Sequence, residues 1–120
     1  EDLESGSTEV EGIKVIAEEL DAGDTDELVE IGEILTGKNK DMVVILGAAN
    51  ESANIISMAG EEAIEKGVDC GKIVTDASKV LGGGGGGKPS MGQGGGGKVE
   101  KLEEAIKIAF DSCKGQLGGS

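Results

Sequence analysis

The sequence predicts an α/β fold, a small mixed β-sheet packed with helices, and three observations carry that prediction. Apolar residues alternate or run together over short stretches at 12–19 and 42–58. They recur at helical spacing after Asp24, after Asp69 and after Lys98. The two patterns interleave along a chain of 120 residues, a length that suits one domain with a modest core.

Residues 1–10 show no periodicity and read as a flexible leader, leaving residues 11–114 as the single domain and 115–120 as a flexible tail. In residues 12–19, Ile13, Val15 and Ala17 alternate with Lys14, Ile16 and Glu18, which suits a strand with one well-buried face. Asp24 is placed to accept from first-turn N–H groups, with Glu27 completing a capping box. The helix that follows puts Leu28, Ile31, Ile34 and Leu35 on one side and stops near Gly37. Met42–Leu46 is a continuous apolar run, hence a central strand, and Asn54–Met58 is its return partner across a turn at residues 49–52. Glu61–Lys66 is either a short helical turn or a connector. Asp69 opens a helix with Cys70, Ile73, Val74, Ala77, Val80 and Leu81 along one stripe. Val99, Leu102, Ala105, Ile106, Ala109, Phe110 and Cys113 mark the last helix, which ends by Gly115.

Composition excludes several chemistries. The chain has no His, Trp or Tyr and one Phe, so the usual general base and metal ligand is missing and no catalytic triad can be assembled. No catalytic residue, metal site or cofactor is expected. Cys70 and Cys113 fall on apolar helix faces and read as reduced core thiols. No apolar run approaches a membrane span and the first residues are acidic, so a cytoplasmic location is the expectation. The net charge of −13 is uneven: residues 1–60 hold 15 acids and 3 lysines, whereas residues 61–120 hold 9 acids and 8 lysines. Lys72, Lys79, Lys88 and Lys98 outweigh Asp76 around the one unusual segment.

That segment is GGGGGGKPSMGQGGGGK, residues 82–98, read as a Gly-rich loop over 82–97 before the C-terminal helix. Successive glycine N–H groups can turn toward an anion and form a nest. The alternative is a flexible linker, because Gly-rich chains also make spacers. Walker A fits from Gly82 to Lys88 until Pro89, and from Gly92 to Lys98 until Val99, and both copies lack the metal-binding hydroxyl. The dinucleotide fingerprint is met trivially by any glycine run and here follows a helix rather than a strand. Nucleotide hydrolysis and dinucleotide binding are therefore set aside.

The order of elements, with KVLGGGGGGKPSMGQGGG between the last two helices, resembles the DHH-associated (C-Ala) domain at the C-terminus of alanine–tRNA ligases, including archaeal-type enzymes. In that family several glycines, a basic residue, Pro, two residues, usually Ala-Gln, and then Gly-Gly-Gly follow one another; here Gly82 to Gly87, Lys88, Pro89, Ser90, Met91, Gly92 (where Ala is common), Gln93 and Gly94 to Gly96 stand in those places. Lys88 stands where Arg is common, without the bidentate fork of a guanidinium. The resemblance covers roughly residues 12–114 and implies a noncatalytic domain that binds the outer corner (elbow) of tRNA, where D- and T-loops meet, and couples aminoacylation to editing. It also implies Gly84, Gly85, Gly86, Gly87, Lys88, Gln93, Gly94, Gly95 and Lys98 as the tRNA-binding set. The partners implied are tRNA, the catalytic and editing domains of a longer chain, and a second copy in a homodimer. The alternatives are a homodimerisation module, or the appended domain of a free-standing tRNA-editing protein or DHH phosphodiesterase.

Overall fold

A computed structural model describes residues 7–21 and 24–118. In chain order the elements are β1 (Thr8–Val10), β2 (Ile13–Glu19), α1 (Thr25–Lys38), β3 (Met42–Ala49), β4 (Ala53–Ala59), α2 (Glu61–Glu65), α3 (Cys70–Val80), β5 (Gly84–Lys88), β6 (Met91–Gly96), a 3-10 turn (Val99–Lys101) and α4 (Leu102–Gln116). The strands make one six-stranded sheet in the order β1-β2-β3-β4-β6-β5. Only β2 and β3 run parallel, joined by the α1 crossover, and the other neighbours are antiparallel, so the sheet is mixed as predicted.

The sheet has two covered faces. On one, Val15, Val43, Ile45 and Ile55 pack with Ile73, Val74, Ala77 and Leu81 of α3 and Leu102, Ala105, Ile106 and Ala109 of α4. On the other, Ile16, Val44, Leu46, Ile56 and Met58 pack under Leu28 and Leu35 of α1. This double coverage explains why Met42–Ala48 is buried without a break, the pattern of a central strand between helical layers. It also corrects the one-sided reading of β2, because Ile16 is as buried as Ile13 and Val15.

The helix ends follow their local signals. Asp24 Oδ1 accepts from the Glu27 N–H at 3.0 Å and starts α1, and Asp69 accepts from the Lys72 N–H at 3.4 Å and starts α3. Glu61–Glu65 resolves as a short helix rather than a connector.

Three further expectations are corrected. The chain from Thr8 to Val10 belongs not to a leader but to an edge strand, paired to Ile13–Val15; residues 1–6 of that leader lie outside the described residues. The glycine segment is a β-hairpin, not a loop, with β6 paired to β4 on one side and β5 on the other. The tail begins later than expected, since α4 continues to Gln116.

Candidate functional site: a glycine ribbon on the sheet edge

β5 and β6 form a ribbon with two unlike faces. Registration of Gly84 with Gly95, Gly86 with Gln93 and Lys88 with Met91 puts these six residues on one side, and Gln93 in turn lies opposite Ile56 of β4. That side continues the face covered by α1, but α1 packs over β3 and β4 and leaves the ribbon beyond them open. A Cβ built on Gly84 or Gly86 would meet nothing within 4 Å. The result is a flat backbone shelf, bare except for Lys88, Met91 and Gln93, with every residue of β5 exposed.

The inner side is the reverse. A Cβ on Gly94 would lie 2.2 Å from Ser78 Oγ, and one on Gly71 of α3 would lie 2.8 Å from the Gly87 carbonyl. Helix α3 therefore rests on ribbon backbone, and residues without side chains on both surfaces permit the approach. Ser78 is fully buried and its hydroxyl has no partner, a sign that contact of helix on ribbon takes precedence there over hydrogen bonding.

Helix α3 also holds both ends of the ribbon. At the tip, the Cys70 N–H donates to Pro89 O at 3.1 Å, with β4 adding a bond from the Ala59 N–H to Ser90 O at 3.1 Å. Midway, Thr75 Oγ1 lies 3.0 Å from Gly85 O, so the helix partly covers the sheet edge. At the base, the Gly83 N–H donates to Ser78 O at 3.2 Å and the Lys98 N–H to Leu81 O at 3.0 Å, around Gly82 with its φ of +79°.

These contacts place each predicted residue. Gly84 and Gly86 share the open face with Lys88 and Gln93; Gly95 lies on that side but abuts β4, where a Cβ would come 2.2 Å from the Ala53 carbonyl oxygen, whereas Gly85, Gly87 and Gly94 face α3. Lys88 stands at the tip and Lys98 at the base beside Gly82, separated by about 13 Å of strand even when only Gly84–Lys88 is counted. The two lysines therefore do not converge on one phosphate. Nor is the segment a nest, because ladder pairing with β4 and β5 occupies backbone groups that a nest would aim at an anion. Sequence reasoning missed Gly71, Thr75 and Ser78; their spacing along one side of α3 is the signal that a helix lies against bare backbone.

Cys70 and Cys113 are buried and unpaired, as their positions on apolar faces suggested. Burial pushes the Cys70 thiol from an ordinary value of 9.0 up to about 11, with the neighbouring Ser57 hydroxyl pulling it down and the Asp69 charge adding to the rise. Burial first, and then proximity to Cys70, pushes Cys113 to about 12. The Ser57 hydroxyl makes no hydrogen bond of ordinary geometry, and its effect on Cys70 is smaller than that of burial. Such thiols are poor nucleophiles. Among the described residues no group of three or more carboxylate or thiol side chains is placed to hold a metal ion, and no helix is long and apolar enough to cross a membrane.

Comparison with known proteins agrees with the fold. Over 110 residues the chain is 44% identical to an alanine–tRNA ligase of Bacillus velezensis, covering 91% of this chain and 12% of that protein. Over 117 residues it is 38% identical to that of Alkaliphilus oremlandii, covering 97% of this chain and 13% of the relative. The chain thus spans about an eighth of the length of these relatives. The C-Ala domain of Aquifex aeolicus alanyl-tRNA synthetase has the same fold, with a TM-score of 0.79 at 25% identity over 90% of this chain and 97% of that one. The DHHA1 domain model matches residues 12–115, nearly all of the folded chain, and the protein belongs to the DHHA1 domain family.

Proposed function

We propose that this chain is the noncatalytic C-terminal domain of an alanine–tRNA ligase and that it binds the outer corner of tRNA through the open face of the glycine ribbon. In the parent enzyme it would keep one tRNA engaged while aminoacylation and editing act on it. The observation that carries this reading is the uncovered shelf at Gly84 and Gly86, with Lys88 and Gln93 standing on the same face. A surface without side chains lets a nucleic acid approach the backbone closely. A lysine at the tip and another at the base supply point charges for two separate phosphates. With one Phe in the chain, half-buried in α4, aromatic stacking contributes little, and recognition is of shape and backbone.

The test is a fluorescence titration of folded tRNA, and of a minihelix lacking the elbow, with wild-type protein and the Lys88→Ala/Lys98→Ala variant. Wild type should favour folded tRNA, and the slope of log affinity against log salt should fall by about one per lysine removed. Because the lysines are far apart, their single losses should add. Equal, weak binding in all four combinations would end this reading.

A further inference from the structure

Helix α3 fixes the ribbon tip, and something must fix the start of α3. We infer that Gln116, the last residue of α4, is the positioning residue for that tip. Its side-chain amide meets the backbone of Asp69 twice: Oε1 accepts from the Asp69 N–H at 2.9 Å, and Nε2 donates to the Asp69 carbonyl at 3.2 Å. The pairing matches how a neighbouring strand would hold Asp69, and it sets the position of the α3 N-cap along both backbone directions. The same Asp69 carbonyl accepts from the Ile73 N–H at 3.1 Å, while its carboxylate accepts from the Lys72 N–H. The next residue, Cys70, uses its otherwise unpartnered first-turn N–H to hold Pro89 O in the ribbon turn. Gly71 then rests on Gly87, the residue before Lys88.

The chain of contact is therefore Gln116, Asp69, the first turn of α3, and the Lys88–Met91 turn. A second tie between the helices, Ser112 Oγ to Asp76 Oδ2 at 3.2 Å, lies further along α3 and does not hold its first turn. Gln116 is only half-buried, so water replaces its amide when it is removed, and the first turn of α3 loosens without unfolding the sheet.

The consequence for RNA rests on the proposed ribbon reading; the mechanical part does not. Amide hydrogen exchange on the 120-residue chain, without RNA, reads the mechanical part. In Gln116→Ala the amides of Cys70 and Ala59, which hold Pro89 and Ser90, should exchange about five- to tenfold faster, with Val44 and Ile45 in β3 unchanged. Gln116→Glu keeps an acceptor for the Asp69 N–H but not the donor, and should fall between wild type and Gln116→Ala. A tRNA titration reads the rest: Gln116→Ala should weaken binding about three- to tenfold and lower the salt slope by about one, with no further loss when Lys88→Ala is added. Exchange at Cys70 and Ala59 that stays at the wild-type rate, or rises only together with β3, overturns the inference. Faster exchange at the tip with tRNA binding equal in wild type, Lys88→Ala and Gln116→Ala sustains the positioning role and overturns the ribbon as the RNA site.

Discussion

Glycine does two different jobs within the ribbon, and single substitutions separate them. At Gly94 a methyl group would meet Ser78 Oγ at 2.2 Å and the Gly85 backbone at 2.9 Å, so helix and strand must part. Gly94→Ala should destabilise the chain by about 1–3 kcal/mol, the range for overpacking a tight contact. At Gly86 a methyl group points into open space, and Gly86→Ala should be neutral or stabilise by a few tenths to about 1 kcal/mol through the unfolded chain. Urea denaturation of the two variants checks both signs. A ribbon using its glycines only for flexibility would show equal effects at the two sites. The outcome at Gly86 also bears on function, because an alanine there places a methyl group on the open face while leaving the fold intact.

Among the elements, those built from side chains were legible and those built from backbone were not. The strands of 12–19 and 42–58, helices α1, α3 and α4, and the caps at Asp24 and Asp69 all follow from residue spacing. β5 and β6 escaped because a strand announces itself by alternating side chains, and a run of glycines has none to alternate. Their strand state comes from partners, β4 on one side and α3 underneath. Three residues of β1 were too few to show a period. Of the candidate site, Lys88 and Gln93 were readable as polar interruptions in the run. The distance between Lys88 and Lys98 was not, since it depends on the hairpin. The α3–α4 interface carries its own prediction. A thiol is uncharged when protonated, and both Cys70 and Cys113 hold their protons more tightly folded than unfolded. Their stabilising contribution is full below about pH 9 and is lost as pH rises through 11 to 12, with a slope of about 1.4 kcal/mol per pH unit for each thiol. Comparing denaturation of wild type and Cys113→Ala from pH 8 to 10.5 isolates this slope from lysine titration, and the variant should show the shallower fall.

At the scale of the molecule, charge and shape oppose each other. The open ribbon face and the acidic helix α1 lie on the same side of one sheet, and Glu30 and Glu33 of that helix are exposed. A polyanion reaching the shelf must do so on the same side of the sheet as these carboxylates, whose repulsion salt screens. Neutralising them in Glu30→Gln/Glu33→Gln should raise affinity for every RNA, minihelix included, and so narrow the preference for folded tRNA. A titration at two salt concentrations shows this as a gain that shrinks as salt increases. The way α3 grips both ends of the ribbon has a further consequence for transplantation. A hairpin whose strands are glycine has no side chains with which to hold its own shape, so its rigidity is borrowed. Moved alone to a foreign scaffold, the seventeen-residue stretch 82–98 would be a spacer, because the partners that hold it, β4, α3 and Gln116, would stay behind.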